Sequence, residues 1–190
     1  ATSTMPDLRV RELENIAIDI FLSNFSKDSS ILEIGCGNGL NLSRISEKGF
    51  LNLQAMDFCK DFVDLAKEIN PKSTILQADC TSLPYENNTF DLIISQRVII
   101  NLLNRKDQEK SLEEVFRVLK PGGNVLFIEG FEEPNILINK LRSEFALKSI
   151  PQPFHNMWFE EKEFLSICNK SASIVDNINI EDIQLKLNYH

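Results

Sequence analysis

The stretch ILEIGCGNGL, residues 31–40, constrains this chain more than any other. Ile31 to Ile34 suit a buried strand and run straight into Gly35, Gly37 and Gly39. The whole chain of 190 residues holds only seven glycines. Glycine costs roughly 0.5–1 kcal/mol more backbone entropy than alanine in regular structure. Such a cluster marks a turn that side chains forbid, or a stretch of backbone against which a ligand lies.

The flanking sequence alternates strands and helices. Residues 8–25 carry Leu13, Ile16, Ala17, Ile20 and Phe21 at the spacing of one helix face, with Asp7 available as a cap. Strands are expected at 31–34, 51–56 (ending at Asp57), 74–78 (ending at Asp79), 90–95 and 124–129. Between them lie helical stretches: 41–49 stopped by Gly49, 60–70 closed by Pro71, and 107–120 halted at Pro121-Gly122-Gly123. The strands are short, β-branched and apolar on both faces, as strands covered by helices on each side must be. Right-handed crossovers then give a doubly wound α/β domain with a mostly parallel sheet. The rhythm breaks after residue 130: a helix over 134–148, the aromatic loop IPQPFHNMWF, a helix near 160–169, and two weaker strand-like stretches, SIVDNI and IQLKLNY. At this length residues 1–190 read as one domain, with a 30–130 core, an N-terminal helical segment (1–29) and a 131–190 segment beside it.

In open α/β sheets ligands bind beyond the carboxyl ends of the strands, where the strand order reverses, and the glycines fall there. Their spacing is G-x-G-x-G rather than the dinucleotide G-x-G-x-x-G, and no Gly-Lys-Ser/Thr follows as a Walker loop requires. The pattern Glu-Ile-Gly-Cys-Gly-Asn-Gly resembles motif I of the class I S-adenosylmethionine-dependent methyltransferases. Three further matches come in order: Asp57, ADCTSLPYENNTFDLIIS and EEVFRVLKPGGNVLFIE, so the resemblance spans about residues 30–130. It implies a Rossmann-like sheet of seven strands with the last antiparallel. It also implies S-adenosylmethionine as cofactor and S-adenosylhomocysteine as product. By position, Gly35 and Gly37, with Cys36 between them, form the floor under the methionine part, and Glu33 holds the loop and the aminoacyl end. Asp57 takes the ribose hydroxyls, Phe58 the adenine face, Asp79 the adenine amino group and the Cys80 N–H a ring nitrogen; Gln96 lies near the methionine end.

The acceptor side is expected from chemistry and composition. Strand four ends in Ser95-Gln96-Arg97-Val98, not the (Asp/Asn)-Pro-Pro-Tyr of amino methyltransferases of nucleic acids and glutamine. His155, in a loop with Phe154, Trp158 and Phe159, is the candidate general base, and Arg9, Arg11 and Arg97 are candidates for an anionic acceptor. With 28 acidic and 20 basic residues the net charge is −8, which opposes nonspecific attraction to nucleic acid or an anionic membrane. No apolar run approaches the ~20 residues of a membrane span, and Cys36, Cys59, Cys80 and Cys168 show no metal-binding spacing, so no metal is expected and the thiols read as reduced and cytoplasmic. The expectation is O- or N-methylation of a small molecule. The rivals are a noncatalytic cofactor-binding domain of the same fold, and an enzyme acting on protein or RNA.

Asp57→Ala should weaken S-adenosylmethionine binding by about 10- to 150-fold, since hydrogen bonds to a charged group contribute roughly 1.5–3 kcal/mol. NADH should not bind measurably to the wild type. Calorimetry with both ligands checks this, and tight NADH binding would overturn the assignment.

Overall fold

A computed structural model describes residues 8–174 and 184–185. The elements run α1 (Leu8–Leu22), β1 (Ile31–Ile34), α2 (Leu40–Glu47), β2 (Leu53–Asp57), α3 (Lys60–Ile69), β3 (Thr74–Gln77) and β4 (Phe90–Gln96). A 3-10 turn (Ile99–Asn101), α4 (Arg105–Val118), β5 (Leu119–Ile128), α5 (Glu132–Glu144), α6 (Glu161–Ile174) and β6 (Gln184–Leu185) complete them. The sheet order is β3-β2-β1-β4-β5-β6 and every strand pair is parallel. The chain thus steps outward from β1 to β3, then returns to lay β4 on the other side of β1. That reversal opens a crevice above β1 and β4.

Alternation along each strand builds two cores. Ile31, Leu92, Ile94, Leu126 and Ile128 pack with α1, α2 and α3 residues such as Ile18, Leu42 and Val63. Leu32, Ile34, Ile93 and Phe127 face α4 and α6. The period of two then dictates where the polar residues at the strand ends point. Glu33 and Gln96 fall on the α1–α2 face, whereas Ser95 and Glu129 fall on the α4–α6 face.

Beyond β5 the chain is held by aromatic packing. Phe164 of α6 meets Phe127, Phe131 and Phe159 edge to face, with ring centroids 5.2, 5.3 and 4.9 Å apart. Phe131 and Phe159 form a β-bridge, and Trp158, 4% exposed, fills the space over Gly130 so closely that a Cβ there would lie 2.5 Å from its ring.

The structure corrects several expectations. Among the described residues, five strands of four or more residues and the two-residue β6 stand against the seven expected, and β6 is parallel to β5. Of the two late strand-like stretches, Ser173 and Ile174 end α6, Gln184–Leu185 form β6, and the remainder lies outside the described residues. Asp7 lies outside them too. Helix α1 turns a different face inward from the one expected: Val10, Glu14, Ala17, Ile18, Phe21 and Leu22 are buried, while Leu13, Ile16 and Ile20 are exposed. It is apolar on two sides, and docking to Gln96 and Arg97 selects the side that carries Glu14. Helix α4 begins earlier, capped by the Asn104 side chain, and β5 starts at Leu119, passing through Pro121-Gly122-Gly123 with a shift of register opposite Phe90 and Leu92.

Gly35 (φ +68°) is left-handed, and a Cβ on it would lie 2.3 Å from Val98 Cγ2. Gly37 (φ +52°) faces open space. Gly35→Ala should therefore cost the left-handed penalty of about 1–2 kcal/mol plus about 1–3 kcal/mol of overpacking, and Gly37→Ala the first alone. Urea denaturation of both variants checks the ranking; equal losses would mean that Val98 does not enforce Gly35.

Candidate functional site

A cavity of about 140 Å³ opens above β1 and β4. Its floor is the glycine loop, with Gly35, Cys36 and Gly37 on the lining and Glu33 beneath. Cys36 N–H donates to the Met56 carbonyl at 3.0 Å, which ties the loop to β2. Asp57, at the end of β2, accepts the Gly37 N–H on Oδ2 at 2.8 Å and the Cys59 N–H on Oδ1 at 2.9 Å. One carboxylate thus shapes the glycine turn and starts α3. Phe62 of α3, and Asn41 and Arg44 of α2, complete this wall.

Glu33 is buried, and Asn41 Nδ2 donates to its Oε1 at 2.7 Å, while Oε2 has no partner. Burial pushes its carboxyl up to about 7 against the pull of Asn41 and Arg44, with the Asp57 charge adding to the rise. A buried orphan oxygen is costly unless something arrives to use it. A ligand ammonium suits that oxygen, and the space before Gly37 admits a ligand against the backbone. These residues fit the aminoacyl end of S-adenosylmethionine.

The other expected adenosine contacts lie along the carboxyl ends of β2 and β3. Phe58 is 74% exposed, and Asp79 is exposed with its Oδ1 holding the Thr81 N–H and hydroxyl, both at 2.8 Å. Cys80 is buried, Cys59 is exposed, and all four cysteines are free thiols. Burial raises the Cys36, Cys80 and Cys168 thiols, so none is poised for nucleophilic chemistry. Among the described residues no group of His, Cys, Asp and Glu could hold a metal ion, and no helix is long and apolar enough to cross a membrane.

Helix α1 and the end of β4 line the same cavity: Arg11 and Asn15 from the helix, Gln96 from the last position of β4 and Arg97 from the turn after it. Two buried carboxylates that carry no signal in the sequence hold this turn. Glu129, at the end of β5, accepts from the Ser95 hydroxyl at 2.8 Å and from the N–H groups of Val98, Ile99 and Ile100 at 3.2–3.3 Å. Burial outweighs these donors and pushes its carboxyl up to about 7. Glu14 of α1 accepts from Gln96 Nε2 at 2.7 Å and faces Arg97 Nε at 3.5 Å. Arg97 itself is left-handed (φ +55°), a rare state for a residue with a Cβ.

His155 is not brought to this cavity. It is exposed, its ring edge-on to that of Phe154 with centroids 5.2 Å apart. Its loop nevertheless rests on the segment after β4, through Met157 N–H to the Ile100 carbonyl (2.7 Å) and Asn156 Nδ2 to Asn101 Oδ1 (2.8 Å).

Residues 32–127 match the family described as "Methyltransferase domain". The malonyl-acyl-carrier-protein O-methyltransferase of Buchnera aphidicola is 33% identical over 88% of this chain and 66% of its own. The demethylmenaquinone methyltransferase of Paenarthrobacter aurescens is 29% identical over 64% of this chain and 46% of its own. A probable tRNA methyltransferase 9B from Mus musculus is 29% identical over 60% of this chain and 25% of its own. The chain thus spans less than two thirds of the length of these relatives. Among solved structures, an S-adenosylmethionine-dependent methyltransferase of Methanosarcina mazei shares the fold at TM-score 0.66, with 21% identity over 80% of this chain and 82% of that one.

An ammonium-bearing ligand needs Glu33 ionised, so S-adenosylhomocysteine affinity should rise by about tenfold per pH unit between pH 5.5 and 7, then level. Glu33→Gln should bind more weakly at pH 7.5 and show no such slope. Because the folded-state value is raised, wild-type Glu33 favours folding below its unfolded value and loses that contribution as pH rises through about 7. Glu33→Gln should therefore gain stability over wild type between pH 5 and 8. Calorimetry and denaturation across that range check both signs.

Proposed function

The chain belongs to the class I S-adenosylmethionine-dependent methyltransferases, and on that premise we propose that it methylates an oxygen or nitrogen atom of a small molecule seated at the Gln96–Arg97 end of the cavity. The observation that carries this reading is continuity: one cavity is lined both by the glycine loop with Glu33 and by Arg11, Asn15, Gln96 and Arg97. Bound S-adenosylmethionine supplies a methyl group already activated by its sulfonium charge. The protein's task is to align the acceptor and exclude water.

In this reading Glu33, Gly35, Cys36 and Gly37 hold the methionine part, Gln96 lies near the methionine end where the acceptor meets it, and Asp57, Phe58, Asp79 and the Cys80 N–H hold the adenosine. Residues 131–190 form the acceptor-side segment of a single domain. The net charge of −8 favours a small molecule over RNA, and the free cysteines suit a cytoplasmic setting. Carbon methylation is a second reading, favoured by the likeness to a demethylmenaquinone methyltransferase.

Labelled S-adenosylmethionine offered with separate pools of carboxylic acids, amines, quinols, peptides and tRNA tests the proposal. Transfer to acids or amines supports it, whereas transfer confined to quinol carbon, peptide or tRNA overturns it. His155 enters as an acceptor-covering residue, on the strength of its loop's contacts with Ile100 and Asn101. His155→Ala should leave cofactor affinity unchanged and raise the acceptor KM several-fold. Turnover slowed by roughly two to four orders of magnitude, with KM unchanged, would instead mark it as a general base.

A further inference from the structure

Helix α1 buries a carboxylate where an apolar residue would serve packing. Glu14 is 5% exposed, among Val10, Ala17, Ile18 and Phe21 on the inward face. Taking a carboxylate out of water is expensive unless it is well paired. Its partners are the two side chains at the acceptor end of the cavity, Gln96 Nε2 at 2.7 Å and Arg97 Nε at 3.5 Å. Arg97 thus joins Gln96 in pairing with the one carboxylate on this face of α1.

The turn that presents these donors is fixed from every side. Arg97 N–H donates to the Ile128 carbonyl at 2.7 Å, its carbonyl accepts from Asn101 Nδ2 at 2.7 Å, and Glu129 secures the three following N–H groups. Left-handed backbone at a residue with a Cβ persists only where surroundings over-determine it, and such strain gathers at ligand sites. The other guanidinium groups of the cavity differ in their duties. Arg44 is committed to Asp19 and Asn41, whereas Arg11 lines the same end as Arg97. A chain of net charge −8 thus gathers two arginines and a glutamine amide at one mouth.

We propose that Gln96 and Arg97 form an anion subsite for the methyl acceptor, that Glu14 is the internal carboxylate holding it until the acceptor arrives, and that the acceptor is therefore a carboxylate or a comparably charged oxygen anion. This rests on the methyltransferase reading and narrows its substrate class. The acceptor's anionic group takes the Gln96 and Arg97 donors and Glu14 swings aside. An oxygen lone pair forms the new C–O bond as the methyl C–S bond breaks and its electrons stay on sulfur. An ester or ether and neutral S-adenosylhomocysteine result. An acceptor that arrives ionised has no proton to lose, so this arrangement needs no general base.

The test is calorimetry of protein saturated with S-adenosylhomocysteine, titrated at pH 7.5 with malonate and with malonamide as the neutral counterpart. Wild type should bind malonate at least tenfold more tightly than malonamide. Arg97→Gln should weaken malonate at least tenfold, and Glu14→Gln should tighten it about fivefold because the competing charge is gone. Malonate binding unaffected by Arg97→Gln, or not tightened in a folded Glu14→Gln protein, overturns the proposal. If Glu14→Gln does not fold, the Arg97→Gln and malonamide comparisons decide alone. Failure of wild type to bind S-adenosylhomocysteine removes the reading beneath; binding of it without malonate removes only this inference.

Discussion

The carboxylate of Glu129, buried at the end of β5, fixes the turn that follows β4. It gathers the Ser95 hydroxyl and three consecutive backbone N–H groups, which would otherwise be unpaired donors at the start of a 3-10 turn. That turn sets Val98 against Gly35 and so presses the end of β4 onto the glycine loop. It also aims Gln96 and Arg97 toward α1. A neutral amide at the same place would set a donor against donors, and a buried mismatch of that sort costs more than the bond it replaces.

Glu33 and Glu129 share a physical state and differ in use. Burial lifts both carboxyl groups to about 7. Strand alternation sends them to opposite faces of the sheet, Glu33 toward α2 and Glu129 toward α4 and α6. Glu129 is surrounded by protein donors and serves the fold. Glu33 keeps one oxygen unpartnered at the cavity, and the proposed cofactor role rests on that incompleteness.

How far the sequence is legible follows from the range of the forces involved. The glycine loop and the carboxylates at the strand ends are readable because the turn, the strand end and the helix start are local events. Four of the first five strands fall within two residues of their expected bounds for the same reason. The fifth does not, because Leu119 pairs with Phe90 across the chain and a bulge carries the strand through Pro121-Gly122-Gly123. Helix α1 is legible but its buried face is not, since Leu13, Ile16 and Ile20 make as good a stripe as the one that docks. Glu14 and Glu129 give no local signal: their partners lie 82 and about 30 residues away. His155 draws attention by its chemistry, and its exposure is a property of the folded loop alone.

The packing of Trp158 on Gly130 gives the molecule a built-in optical reporter. The chain contains one tryptophan, and its indole is sealed into the seam between the end of β5 and the segment that follows α5. Its carbonyl faces Arg105 at 3.4 Å, and its neighbour Met157 is tied to Ile100. Emission excited at the red edge of the spectrum, where tyrosine does not absorb, therefore comes from one place. It registers whether the segment after β5 is seated on the sheet or has lifted from it, without any label being attached.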